Sequence, residues 1–447
     1  MRFTVLIITI SISIVSAQDI RENIFGFATS NTFTYCDVSD TLFTNNVSRI
    51  NPVVLRFPGG AVGNFYHYNR KGYGFDFNEI DKYHSGKFPK RARGLDRSRM
   101  QKSHNQDYIL DFIKLAKRTN AKAVLVANPF VLSDNDIILM IDKLKEKSIE
   151  VIGVELGSEL SNRSYFTKGY TIDDYVVFAK RCSNAIKSRF PNIKTAVVAA
   201  PLGKKRGHRH NKWNEKLANM DFYDAIIIHS YAKVVKGKSL DGKMISENIE
   251  KTNFAEEFNS YRNKIIKYFD KDYPSEISMY NSIFNKPIWV TEWNLQMSKT
   301  TGNTLLQSLY VAQYFLELLS NSDLSSIDLT TYHNLGGRDF SGSIFNFSDN
   351  KLNIRSTFYP IKMIGKIFSS NIVKITSKKE DDTYIYTCYD NKENVILSYK
   401  IDWSENLFSC TYLVNDFKYR MSYSSSNLYD RADEKGSLEL KVIKLDE

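Results

Sequence analysis

Val151-Ile-Gly-Val-Glu-Leu-Gly-Ser-Glu-Leu160 reads as a short buried strand that ends at a carboxylate. Side chains along a strand alternate between faces. Ile152, Val154 and Leu156 are therefore expected to point one way, and Glu155, Gly157 and Glu159 the other. An apolar face backed by an acidic one suits a barrel strand, with helices over one side and a lumen on the other. Pro287-Ile-Trp-Val-Thr-Glu-Trp-Asn294 matches it, with Ile288, Val290 and Glu292 on one expected face. Two carboxylates at two strand ends suit glycoside hydrolysis, one as proton donor and one as nucleophile or base.

Strand-like runs alternate with helical ones on either side of these stretches. Strands are expected over 23–29, 53–57, 123–128, 194–199, 225–229 and 327–333. Helices are expected over 106–118, 134–146, 171–188, 254–269, 304–319 and 356–368. Between the second strand and residue 103 lies a long polar segment. Eight strand–helix alternations predict an α/β fold, a closed (β/α)8 TIM barrel over 18–370. An open doubly wound sheet is the alternative, but no Gly-rich phosphate loop follows the first strand. From 371 to 447 short alternating strands separated by polar turns predict a small antiparallel β domain. It is expected to be sandwich-like, with a possible extra strand from near Gln18.

Three motifs carry a family resemblance. Glu155-Leu-Gly-Ser-Glu159 and Trp289-Val-Thr-Glu-Trp-Asn294 resemble the motifs that end strands four and seven of the clan A glycoside hydrolases, which are retaining (β/α)8-barrel glycosidases. Leu55-Arg-Phe-Pro-Gly-Gly60 resembles the second-strand motif of that clan's arabinofuranosidase and heparanase/glucuronidase branches. The resemblance runs through residues 20–370 in order and pattern. It implies Glu159 as acid/base and Glu292 as nucleophile. The clan usually places Asn before the acid/base, bonding the substrate's 2-hydroxyl. This chain has Ser158, a shorter group with a single oxygen.

Further candidates surround the two glutamates. Arg56 either lowers the Glu292 pKa or pairs with Glu155 deeper in the lumen, and the two roles are compatible. Gly59 and Gly60 would let backbone approach a sugar closely, or simply make a tight turn. Asn128, His229 and Tyr231 end strands on the same rim, where the resemblance implies contacts to sugar or nucleophile. Trp293, Tyr332 and His333 are candidates for an aromatic sugar platform, with core packing as the alternative for Trp293.

Met1-Arg2, an apolar run to Val15 and Ser16-Ala17 read as a secretory signal peptide over 1–17, so a secreted, extracellular protein is expected. No later stretch reads as a membrane anchor. The net charge is +11, and Arg2 would leave with the signal. Excess positive charge favours anionic partners, and export argues against nucleic acid. Lys87 to Lys102 is rich in Lys and Arg, and Lys204-Lys205-Arg206 opens a second basic cluster. Both follow strands, so both are expected on the rim where barrel sites lie, ready for carboxylate or sulfate. Four cysteines in an exported chain suggest a disulfide, with Cys388–Cys410 favoured. No Cys/His spacing resembles a metal site, and no motif asks for a cofactor. Asn46, Asn162 and Asn346 begin Asn-x-Ser sequons. No motif specifies an oligomeric state.

The leading expectation is a secreted retaining glycosidase acting on an acidic polysaccharide or glycoconjugate. An arabinofuranosidase- or xylosidase-like enzyme on neutral substrates is the rival. A glycan-binding barrel with weakened catalysis is the reading outside enzymes, and Ser158 favours it.

Overall fold

The computed structural model describes residues 20–101, 106–235, 253–296, 298–337, 342–348, 351–415, 417–432 and 437–445. The expected signal peptide and Gln18 lie outside the described residues. Among those residues no helix is long and apolar enough to cross a membrane.

Eight parallel strands close into a barrel in chain order. They are β1 (Gly26–Ala28), β2 (Val54–Phe57), β3 (Lys122–Val126), β4 (Val151–Leu156), β5 (Lys194–Val198), β6 (Ala225–Ala232), β7 (Ile288–Leu295) and β8 (Ile327–Tyr332). Parallel neighbours need long crossovers, and helices supply them. The helix Tyr108–Thr119 shows the local logic. Asp107 accepts from the Ile109 N–H at its start, Asn120 turns left-handed at its end, and Tyr108, Ile109, Phe112 and Leu115 bury one stripe. Thr171 and Asp174 form a reciprocal capping box on Ile172–Arg189. The helix Leu305–Ser320 is buried along its whole length. A helix apolar all round must be covered on all sides, and here the barrel lies on one side and the C-terminal sheet on another.

Two irregularities change the expected side-chain directions. In β7, Ile228 of β6 pairs with Val290 and His229 with Glu292, so Thr291 is an extra residue. Such a bulge shifts the alternation by one. Trp289, Thr291 and Glu292 therefore face the lumen, correcting the expectation that Ile288, Val290 and Glu292 share a face. Trp289 packs into the space left by Gly153 of β4. The second irregularity follows β4, which ends at Leu156. Gly157 and Glu159 both have positive φ, 86° and 51°. A turn, not strand alternation, positions Glu159.

The polar segment after β2 is mostly helical, with helices Phe77–Tyr83 and Phe88–Gln101. Its charge run masked the apolar stripe of Phe88, Ala92 and Leu95 that is buried beneath it. A hairpin of β9 (Phe345–Ser348) and β10 (Lys351–Ile354) follows the barrel.

The C-terminal unit is one six-stranded antiparallel sheet, not a sandwich. Its strands run in chain order: β11 (Lys374–Glu380), β12 (Thr383–Tyr389), β13 (Val395–Asp402), β14 (Leu407–Val414), β15 (Phe417–Ser424) and β16 (Glu439–Lys444). None of these comes from the N-terminus. Barrel helices take the place of a second sheet. Tyr386 donates to Glu317 at 2.6 Å, Trp403 Nε1 to Gln313 at 2.8 Å, and Tyr399 to the Met363 carbonyl at 2.8 Å.

The expected Cys388–Cys410 disulfide is absent, and Cys388 and Cys410 are separate buried thiols. Cys388 lies on β12 and Cys410 on β14, with β13 between them. Two strand spacings amount to roughly 10 Å, beyond the Cα separation of about 7 Å that a disulfide can bridge. Of the three sequon asparagines, Asn46 and Asn346 are buried.

The Trp289–Gly153 contact gives a test of the lumen packing. A Cβ added at Gly153 would sit 2.3 Å from Trp289 Cη2. Gly153→Ala should destabilise by about 1–3 kcal/mol, measured by chemical denaturation. An unchanged midpoint would mean that Trp289 does not occupy that space.

Candidate active site

Arg56 rises from β2 into the lumen and is fully buried. Its Nε and Nη2 donate to Glu155 Oε1 and Oε2 at 2.6 and 2.7 Å, and its Nη1 donates to Glu292 Oε1 at 2.9 Å. Both roles open to Arg56 in the sequence are thus held at once. Burial alone would raise the Glu292 pKa. The charges of His229, His333 and Arg56, with the Arg56 hydrogen bond, hold it well below the usual carboxylate range. Burial pushes the His333 pKa down, with Glu292 opposing and Arg56 adding to it. Burial opposes charge on His229 too, but Glu292 and Glu159 outweigh it and raise its pKa.

Glu292 is satisfied on its other oxygen as well. Tyr231, near the end of β6, donates its hydroxyl to Glu292 Oε2 at 2.8 Å, and that hydroxyl lies 3.1 Å from His333 Nδ1. His229 Nδ1 stands 3.0 Å from Glu159 Oε1 and 3.6 Å from Glu292 Oε2, linking the two carboxylates. Ligand atoms of Glu159, His229 and Glu292 all lie within 4.8 Å of one another. By distance these three could hold a metal ion. The Arg56 guanidinium, 2.9 Å from Glu292, repels a cation there. The Glu159 side chain is 49 % exposed, whereas that of Glu292 is 8 % exposed. The acids therefore sit in different surroundings, one open to water and one sealed in the lumen.

Gly60 has φ +58°, and a Cβ there would come 3.4 Å from Glu292 Oε1. Gly59, with φ +76°, lies as close to the Arg56 guanidinium. The bare backbone of this turn thus passes directly over the carboxylate. Ser158 is buried. Asn64 clasps its backbone, accepting from its N–H at 2.8 Å and donating to its carbonyl at 2.7 Å.

Other candidates are placed elsewhere. Trp293 points outward, because the bulge precedes it, and stacks on Tyr314 of the helix Leu305–Ser320 at 3.8 Å between ring centroids. Tyr332 is also buried and donates to the Gly342 carbonyl. Neither ring forms the expected sugar platform. Asn128 turns from the glutamates and donates to Glu79 Oε1 at 3.1 Å. It joins a clasp in which His67 meets Glu79 at 3.2 Å and Asp136 at 3.4 Å. Lys204, Lys205 and Arg206 are exposed in the loop after β5. The Lys87–Lys102 run divides. Arg99 is buried on Asp111 at 2.9 Å, Arg93 pairs with Asp81, and Arg91 stays exposed with its charge felt at His333. Lys102 lies outside the described residues.

Two partners of the site escaped the sequence. Asn162 donates to Glu159 Oε2 at 2.8 Å. Thr291 donates to Glu155 Oε2 at 3.2 Å. Asn162 opens a sequon, and its position three residues past Glu159 is the local signal for this contact.

No protein-family model matches the sequence, and no curated protein matches it. Solved structures do match its fold. An α-L-arabinofuranosidase from Thermotoga maritima, in complex with arabinose, is similar with a TM-score of 0.58 and 14% identity, over 96% of this chain and 93% of that one. A family 51 arabinofuranosidase from Xanthomonas axonopodis pv. citri gives 0.62 and 8%, over 96% and 94%. A 4-O-α-L-rhamnosyl-β-D-glucuronidase from Fusarium oxysporum gives 0.57 and 12%, over 97% and 93%. The likeness is one of architecture, a closed barrel followed by a C-terminal sheet.

Two expectations follow from the charge network. Breaking a buried ion pair on one side typically costs about 3–5 kcal/mol. Arg56→Met should lose roughly that much in urea unfolding, and a loss under about 1 kcal/mol would contradict the buried geometry. For His67, burial opposes the charge but Asp136 and Glu79 outweigh it, raising its pKa from 6.5 to about 9. A raised folded pKa stabilises fully below pH 6.5, and the gain is lost as pH climbs through about 9. The melting temperature of His67→Gln should therefore lie below that of the parent at pH 6 and converge with it by pH 10. A gap independent of pH would remove the ionic clasp.

Proposed function

We propose that the chain is an exported retaining glycoside hydrolase whose natural substrate is an acidic glycan. The observation that carries the reaction is the geometry of Glu159 and Glu292. Their nearest oxygens fall within 4.8 Å, near the roughly 5 Å separation of carboxyls in retaining glycosidases and short of the inverting range. Glu292 is held ionised, as a nucleophile must be. Arg56 holds Oε1, and Oε2, which accepts the Tyr231 hydroxyl and lies 3.6 Å from His229, attacks the anomeric carbon. Glu159, open to solvent, protonates the departing oxygen. It then takes a proton from the water that releases the glycosyl group. Tyr231 and Arg56 keep their hydrogen bonds to Glu292 in the resting state and orient it for the attack.

The acidic substrate rests on the basic residues around this centre. Lys204 lies on the wall of the same cavity as Glu159, Lys205 and Arg206 follow it as exposed residues of the same loop, and the charge of Arg91 is felt at His333. Export rests on the leader-like sequence of residues 1–17. A neutral-substrate enzyme is favoured instead by the arabinofuranosidase architecture and by Arg56, whose guanidinium is taken up by carboxylates. The fold likeness alone does not choose between these substrates.

Replacing either glutamate tests the mechanism. Glu292→Ala should abolish turnover with the fold retained. Glu159→Ala should lose about 10²–10⁴ in kcat on a natural glycan and much less on an aryl glycoside with a good leaving group, which needs little protonation. Near-normal turnover of a natural glycan by either variant would refute the assignment. A panel of neutral, uronic and sulfated glycans separates the substrates. Acidic members should be cleaved with the higher kcat/KM, and their KM should rise with salt as exposed charges are screened.

A further inference from the structure

A cavity of about 730 Å³ opens beside Glu159 and runs outward between the ends of β5 and β6 and the helices over 254–284. Glu159, Asn162 and His229 are on its wall, and Glu292 and Arg56 are not. In a double displacement the acid/base stands next to the leaving group and the nucleophile stands beneath the sugar it captures. A cavity that shares Glu159 but not Glu292 therefore lies on the leaving-group side. Its volume is within the range that holds small ligands.

The walls carry a surplus of positive charge. Lys204, Lys233, Lys264 and Lys267 line it against Asp272 and Glu276, apart from Glu159 itself. Lys267 is neutralised by Asp272 at 2.9 Å. Lys264 gives one donor to the Val234 carbonyl at 2.5 Å. Burial raises the Glu276 pKa, with Lys233 opposing. Lys204 and Lys233 are exposed and approach from two different segments, the loop after β5 and the end of β6. Tyr268, Tyr280 and Leu202 give the same cavity apolar surface for the C–H faces of a ring. Ammonium groups at the mouth and aromatic edges behind them suit a sugar that bears one negative group.

We propose that this cavity is a subsite for a sugar carrying a carboxylate or sulfate on the leaving-group side of the scissile bond, held by Lys204 and Lys233. The position of the subsite in the reaction rests on the glycosidase reading, but its charge preference does not. The negative charge of the substrate then belongs to the group released, and the captured sugar is recognised without it.

The experiment uses the full chain with Glu292→Gln to prevent turnover, titrated by calorimetry with D-glucuronate, galactose 6-sulfate and glucose. Glucuronate or the sulfate ester should bind at least tenfold more tightly than glucose, and the combined Lys204→Ala and Lys233→Ala substitutions should erase the difference. Comparison of the two charged sugars decides between carboxylate and sulfate. An unchanged melting temperature in the double variant shows that these exposed substitutions leave the fold intact. Equal binding of charged and neutral sugars, or a preference that survives both substitutions, overturns the subsite. Glycosides in which the preferred charged sugar is the released group, joined to a series of neutral sugars and tested on protein with Glu292 restored, separate the two claims. Charge-selective binding with no glycoside turned over removes the glycosidase reading and keeps the subsite. Turnover without charge-selective binding removes the subsite and keeps the enzyme.

Discussion

One guanidinium fixes the centre of this barrel. Arg56 reaches across the lumen from β2 and binds Glu155 of β4 in a two-pronged contact and Glu292 of β7 through its remaining arm. A charge removed from water is tolerated only when paired and hydrogen-bonded. One cation cannot neutralise two carboxylates, and His229 stands 3.6 Å from Glu292, where Glu292 and Glu159 raise its pKa against the pull of burial. The fork geometry of arginine is needed here, since an ammonium could not span both carboxylates in one plane.

Both glutamates reach the site through departures from regular strand geometry. The bulge at Thr291 brings Thr291 and Glu292 to the lumen in succession, so one steadies Glu155 while the other faces Arg56. It also turns Trp293 outward onto Tyr314, anchoring the back of β7. The turn after β4 carries Glu159 beyond the strand end, where water and Asn162 reach it. A regular β7 would have put Thr291 and Glu292 on opposite faces. The separation of a sealed Glu292 from an open Glu159 thus depends on one added residue and one left-handed turn.

The C-terminal sheet supports this arrangement from behind. Its Tyr386 and Trp403 bind Glu317 and Gln313 on the helix that also carries Tyr314, the ring under Trp293. At the start of the same helix Gln307 donates to Asn294 at 3.1 Å, and Asn294 donates to the His333 carbonyl at 2.7 Å. The sheet therefore completes the packing of a helix that holds β7 and the end of β8 in place. Such positioning shells govern how closely catalytic groups keep their geometry.

The sequence by itself determined the eight-strand barrel, the following β unit, and the carboxylates and arginine that occupy the lumen. Alternating apolar runs and helical stripes are local signals, and Glu159, Glu292, Glu155 and Arg56 lie on strands or just beyond them. It did not determine the directions of Trp293 and Tyr332, the departure of Asn128 to the His67 clasp, or the division of the Lys87–Lys102 run into buried and exposed members. Each depends on a partner distant in the chain or on a shift of register. Alternation assigns faces only until a bulge intervenes, and one extra residue reverses every side chain after it. The expected disulfide failed for a related reason. The run around Val395 falls between the two cysteine runs in sequence, and only sheet pairing shows that it also separates them in space. Tertiary structure alone decided which polar groups meet, because burial forces each to find a partner wherever the fold supplies one.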